Sequence, residues 1–178
     1  MKTPEEHRKA PEQYSKDLGY LRTHGEDRGL MAELRCLLNR NLRMRGWAAV
    51  GRIGGIGDRA VETVSGLYAL YPQAFKENAF SFGVSCKRLA FRRRKGDAQA
   101  DDAHSPLDIR FRRLLACDGR PALCDMLPDF VRGMKAEGIA VDYDSLYKDI
   151  YYWGDRVREK WAADYWGKAG KEVSDVSD

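Results

Sequence analysis

The chain has 178 residues, 43% of them apolar and 33% charged, enough for one domain that buries roughly 70% of its unfolded surface without a disulfide or metal. Six prolines and this apolar content exclude a collagenous or low-complexity chain and argue against global disorder. A mean hydropathy of −0.60, with no run of 18 apolar residues, gives no transmembrane helix, and the net charge is +4. The first 17 residues balance four bases against four acids, and the last eight carry a net −2. Residues 18–170 therefore hold 26 bases and 20 acids. Twenty of the 31 bases are Arg, whose planar fork suits phosphate, so the excess points to an anionic partner. The opening segment MKTPEEHRKAPEQYSKD lacks the apolar core of a secretory signal. Cys36, Cys86, Cys117 and Cys124 sit in apolar contexts without C-x-x-C spacing. Reduced, buried thiols in a cytoplasmic protein are expected.

Helical periodicity dominates. Leu30, Leu34, Leu37 and Leu38 form one stripe over residues 26–42. Val61, Val64, Tyr68 and Tyr71 form another over 58–71, with Asp58 as N-cap and Pro72 as stop. Residues 80–94 carry Phe82, Cys86 and Leu89 on one side and Val84 and Phe91 on another, so burial on two sides is expected. Residues 96–106 hold no large apolar side chain and read as a linker, closed by Ser105-Pro106-Leu107-Asp108, a good helix start. Leu107, Phe111, Leu114 and Leu115 follow on the next helix. Leu123, Met126, Leu127, Phe130, Val131 and Met134 then align, with Pro128 expected to kink or restart their helix and Gly138 to end it. Leu146, Ile150, Trp153, Val157 and Trp161 align last, with Gly154-Asp155 as a candidate break. Strand signals and internal repeats are lacking. The expected fold is all-α: an N-terminal extension (1–25), an N-terminal helical lobe (26–95), a linker loop (96–106), a C-terminal helical lobe (107–167) and a flexible acidic tail (168–178). The two helical bundles join near residue 100.

Catalytic chemistry finds no purchase. His7, His24 and His104 have no His or Cys partner at i+3 or i+4, and Cys117-x6-Cys124 has the wrong spacing for zinc, so no metal or other cofactor is expected. No G-x-S-x-G is present. Asp142 and Asp144 open a helix, where capping is the simpler role. Gly51-Arg-Ile-Gly-Gly-Ile-Gly57 lacks the preceding strand and following Lys-Ser/Thr of a phosphate loop. It reads as a helix–helix turn, with Arg52 and Arg59 flanking a helix N-terminus that is a natural seat for one backbone phosphate. The remaining signal is basic. Arg35 edges the first stripe, and Lys87, Arg88 and Arg92 lie on the helix of residues 80–94. Arg110, Arg112 and Arg113 open the second lobe. Arg132 lies opposite its apolar stripe, and Arg156 and Arg158 flank the tryptophan stripe.

Several motifs recur in order. They are Leu34-Arg35, Phe82-Gly83 before Lys87-Arg88-Leu89, Arg110-Phe-Arg-Arg-Leu-Leu115, Arg132, Gly138-Ile-Ala-Val-Asp-Tyr143, Asp149 through Trp153, and Trp161-Ala-Ala-Asp-Tyr165. This string resembles the CasB family, the small subunit of the type I-E CRISPR Cascade complex, over residues 26–166. The resemblance implies an all-α fold of two bundles and a non-catalytic role. Two copies would lie head to tail beside the crRNA-carrying backbone protein and the large subunit. They would hold target DNA, chiefly the displaced strand, and so stabilise the crRNA-guided R-loop. Cleavage would belong to a separately recruited helicase–nuclease. Arg88, Arg132 and the Arg110/Arg112/Arg113 cluster match the family's DNA-facing positions, as do Arg59, Arg156 and Arg158. The Arg93-Arg94-Lys95 run has no counterpart there. The competing expectation is a stand-alone helical DNA-binding regulator, whose best recognition helix would be residues 58–71 with Arg59, Glu62 and Ser65 as readers. Trp153 and Trp161 are expected in the core, while the places of Trp47 and Trp166 are open.

Overall fold

A computed structural model of the chain describes residues 8–72, 80–94 and 105–167. His7, His104, Lys95, most of the expected linker and the tail after 167 lie outside the described residues. Helix starts follow capping chemistry. Asp27 accepts from the Leu30 N–H and Asp58 from those of Ala60 and Val61. Ser105 accepts from Asp108 and Asp142 from Ser145. The elements in order are α1 (Pro11–Thr23), α2 (Arg28–Cys36), a 3-10 turn (Arg43–Gly46), α3 (Trp47–Gly51), α4 (Arg59–Leu70), α5 (Phe82–Arg94), α6 (Pro106–Leu115), α7 (Arg120–Ala136), α8 (Tyr143–Tyr151) and α9 (Asp155–Trp166). Among the described residues there is no strand, so the fold is all-α. None of these helices is long and apolar enough to cross a membrane.

α4 lies at the centre. Every residue from Ala60 to Ala69 is buried, and α1, α2, α3, α7 and α8 all pack on it. Leu30, Leu34 and Leu37 supply the α2 side, as their spacing predicts, but the helix stops at Cys36 rather than continuing to residue 42. Gly66 allows the approach. A Cβ there would meet Leu38 Cδ2 at 2.8 Å and the Leu34 carbonyl at 3.0 Å. The one acid buried on α4, Glu62, is paired with Arg43 of the 3-10 turn and accepts the Gly57 N–H at 3.0 Å. A buried carboxylate without such partners would cost several kcal/mol, about 3–5 on loss of one partner.

α1 is part of the packed core. Tyr14, Leu18 and Leu21 are fully buried, and α1 packs on α8 and α4. The Tyr14 ring lies 4.0 Å from that of Tyr147, tilted by 31°, and its hydroxyl shares a 2.8 Å hydrogen bond with Ser65. Tyr147 Oη donates to the Lys9 carbonyl, and Arg22 and Ser15 both donate to Asp144. Asp144 is thus a tie between α1 and α8, while Asp142 is the cap.

α5, grouped by its place in sequence with the N-terminal helices, packs on α9, α7 and α6. Phe82, Cys86 and Leu89 face the core as expected. The second buried face is made of Gly83 and Ala90, whereas Val84 is half-buried and Phe91 exposed. Small residues draw the neighbour in: a Cβ on Gly83 would stand 2.7 Å from the Trp161 carbonyl. α7 runs through Pro128 without restarting, because its apolar stripe is clamped between α4, α5 and α8. Gly138, at φ +66°, ends it, and the Ile139 N–H closes back on the Met134 carbonyl at 2.8 Å. Gly154 separates α8 from α9. One continuous apolar cluster runs through all these contacts.

Trp161 has no exposed surface, and its Nε1 donates to Asp149 at 2.7 Å. Trp161→Ala is expected to cost about 3–5 kcal/mol of unfolding free energy, measured by urea titration.

Of the cysteines, Cys86, Cys117 and Cys124 are buried and Cys36 half-buried, all unpaired. Burial pushes the Cys124 thiol up to about 11. The unfolded thiol ionises near the ordinary value of about 8.5, so the native state binds the extra proton between these values. Stability is therefore full below about pH 8.5 and declines as pH rises to about 11. The melting temperature is expected to fall across that window, and to fall less steeply in Cys124→Ala.

Candidate nucleic-acid interface

The eleven arginines and one lysine singled out by the sequence divide into two groups once their neighbours are seen. Four are committed internally. Arg59 pairs with Asp125 across α4 and α7. Lys87 donates to the Gly167 carbonyl at 2.6 Å and ties α5 to the end of α9. Arg112 donates to Asp108 at 2.8 Å and lies 4.9 Å over the Trp166 ring. Arg158 donates to the Cys117 carbonyl at 2.7 Å and to Asp155 at 2.9 Å, with its guanidinium 5.5 Å from the Trp153 ring centre.

The others face solvent. Arg52, Arg92, Arg110, Arg113 and Arg156 are exposed and bond to no other described residue. Arg88 stacks 4.5 Å over the Phe80 ring and remains exposed. Arg132 pairs with Asp129 at 2.9 Å in an exposed i,i+3 pair, worth little in water. Arg35 reaches the Ala69 carbonyl at 3.3 Å. Lys135, which periodicity did not single out, donates to the neighbouring Leu70 carbonyl at 2.9 Å. Two cations thus sit at the negative end of the α4 dipole.

The structure brings the outer faces of α5 and α6 together, since the two helices pack on each other. α5 contains no acid at all. The one acid of α6, Asp108, is 2% exposed and holds both Arg112 and the Trp166 indole N–H. Burial by itself raises the Asp108 pKa, but the hydrogen bonds from Arg112 and Trp166 and the charges of Arg112 and Arg94 outweigh it, so the carboxyl sits below its ordinary value. Arg88, Arg92, Arg110 and Arg113 therefore look outward from a pair of helices that present no free carboxylate. Arg156 stands apart on α9, between the exposed Asp155 and Glu159.

The turn from Gly51 to Gly57 has a different character. Its helix N-terminus is already filled: Asp58 accepts from Ala60 and Val61, and Glu62 accepts from Gly57. The Lys9 backbone N–H also binds Asp58 at 3.0 Å, and its ammonium binds the Ile53 carbonyl. Two carboxylates occupy the place where a phosphate would sit. The turn is held by Gly54 and Gly57 at φ +63° and +87°. Residues 58–71 likewise cannot read a base pair, because Glu62 and Ser65 are fully buried. That removes the recognition helix on which the regulator alternative depended.

Trp153 and Trp161 lie in or against the core, and Trp47 packs half-buried on it. Trp166 is 44% exposed. The signal for it was present in the spacing, five residues after Trp161 and off the apolar stripe. Among the described residues no group of three or more His, Cys, Asp and Glu side chains stands close enough together to hold a metal ion.

These features define an all-α protein whose α5 and α6 carry outward-facing arginines. Its family follows from a direct comparison: residues 31–166 match the model of the CRISPR-associated protein Cse2 family, and the chain belongs to that family, the CasB-type subunit of the type I-E Cascade complex. The family is a structural subunit of Cascade. No curated protein and no solved structure matches the chain.

Arg158→Ala is expected to lower unfolding free energy by about 1–3 kcal/mol, because it strips the buried Cys117 carbonyl of a charged donor. Arg113→Ala, with no internal partner, is expected to change it by less than about 0.5 kcal/mol. Parallel denaturant titrations decide both.

Proposed function

We propose that this Cascade subunit holds single-stranded DNA displaced by the crRNA, using the cationic faces of α5 and α6, and so lengthens the life of the R-loop. The observation that carries the reading is the α5–α6 pair itself, with four outward arginines and no free carboxylate. Exchange of a DNA duplex for an RNA–DNA duplex is nearly balanced, so modest backbone contacts decide how long the open state lasts. Contacts to phosphate carry no sequence information, which suits a subunit that must accept every target. Arg35, Arg52, Arg132 and Arg156 are further exposed cations away from the α5–α6 pair. A second copy of the chain, set beside the crRNA-carrying backbone protein and the large subunit in the cytoplasm, would continue the path along the strand.

Committed cations belong to a different class. Arg59, Lys87, Arg112 and Arg158 shape the surface by joining helices, and their loss acts on folding as well as on binding.

The test is the dissociation rate of a target R-loop from Cascade assembled with and without this chain, at two salt concentrations. Faster loss without the chain is expected. With Arg88→Ala, Arg110→Ala and Arg113→Ala combined, R-loop lifetime is expected to shorten without a change in melting temperature. Each lost phosphate contact should reduce the slope of log affinity on log salt by about 0.7 for a single strand. Unchanged lifetime and slope in a fully assembled complex would overturn the reading.

A further inference from the structure

Trp166 is the least buried tryptophan for which the fold makes an unusual commitment. Its Nε1 donates to Asp108 Oδ1 at 2.7 Å, and Arg112 Nε donates to Asp108 Oδ2 at 2.8 Å. A single buried carboxylate therefore sets the orientation of both the indole and the guanidinium stacked 4.9 Å over it. Phe111 and Tyr165 meet the indole edge-on, at 5.4 and 5.1 Å. The backbone is fixed just beyond. Gly167 donates to the Ala163 carbonyl at 2.7 Å, and its own carbonyl accepts from Lys87. A Cβ at Gly167 would stand 2.1 Å from the Ala163 oxygen, so only glycine allows this close turn.

A mere cover over Phe111 needs no such clamp; a leucine would serve. Here the polar edge of the indole is spent inside the protein, one face lies under Arg112, and the residue still keeps 44% of its surface exposed. A rigid aromatic face stacks on any base, because every base has a π-surface, and fixing it in advance removes the ordering cost of binding. Arg110 and Arg113 lie on the same helix as Arg112, and their exposed side chains bond to no other described residue.

We propose that Trp166, clamped beside Arg112 by the buried Asp108, stacks on an unpaired base of a strand whose phosphates run over Arg110 and Arg113. The site selects single strands over duplex, whose bases are stacked on each other and withheld. It rests on the phosphate-holding reading above and adds the base to it.

The experiment uses Cascade assembled with this chain and loaded with crRNA and target strand, titrated with a labelled 20-nucleotide single strand. The same strand with abasic spacers keeps every phosphate and removes every base. The wild type is expected to bind the base-bearing strand about tenfold more tightly than the abasic one. Trp166→Leu is expected to erase that preference while leaving abasic affinity unchanged, and Trp166→Phe to retain part of it. Arg110→Ala with Arg113→Ala should weaken both strands alike. Equal wild-type affinity for the two strands overturns the stacking site and leaves the phosphate reading standing. Equal weakening of both strands by Trp166→Leu, or its failure to join the complex, assigns the ring to protein packing and overturns the site too. Loss of all strand binding specific to this chain would sink both readings.

Discussion

α4 has no solvent face from Ala60 to Ala69, and this sets the terms for its neighbours. A helix enclosed on every side must be covered by helices on every side, and α1, α2, α3, α7 and α8 supply the cover. The enclosure also dictates local chemistry. Glu62 enters the core only because Arg43 and the Gly57 N–H meet it there. The carbonyls at the far end of the helix are met by Arg35, Lys135 and Tyr143. Part of the cationic complement is thus consumed in closing the helix that organises the fold.

What remains of the positive charge is distributed by a different constraint. α5 and α9 approach through Gly83 and Ala90, so the large cations of α5 are displaced to the flanks and outer face. Lys87 and Arg112 are drawn inward to the Gly167 carbonyl and Asp108, whereas Arg88 meets only the Phe80 ring and the side chains of Arg92, Arg110 and Arg113 bond to no other described residue. Arginine without an internal acid is an unneutralised donor fork in water. A polyanion can release its counterions there at little cost in protein rearrangement. The same helices that hold the C-terminal core together therefore present the charge.

The α1 contact shows how an internally paired cation and a solvent-facing one can be told apart. Arg22 is as cationic as Arg113, but its guanidinium lies against Asp144 and its helix buries Tyr14, Leu18 and Leu21. Charge alone would place both at an interface. The decisive difference is the carboxylate opposite, and that depends on the packing of α1 on α8.

The sequence by itself determined the helical class, four of the helix caps, the aligned apolar stripes of α2, α7 and α8–α9, and the family, because these depend on local spacing and on motifs read in order. Tyr14, Leu18 and Leu21 stand at i, i+4 and i+7 and would have marked α1, but the dense charge around them masked the stripe. The second buried face of α5 was not legible, since it is made of Gly83 and Ala90, and small residues carry no apolar signal until another backbone comes against them. The fate of each arginine was equally out of reach. Arg110, Arg112 and Arg113 are alike in the string except that Asp108 precedes Arg112 by one helical turn, and only the fold set Trp166 beside the middle one. Pairing of charges is a long-range property: Arg59 meets Asp125 and Arg158 meets the Cys117 carbonyl across dozens of residues. Tertiary structure alone decided which cations were left for a partner.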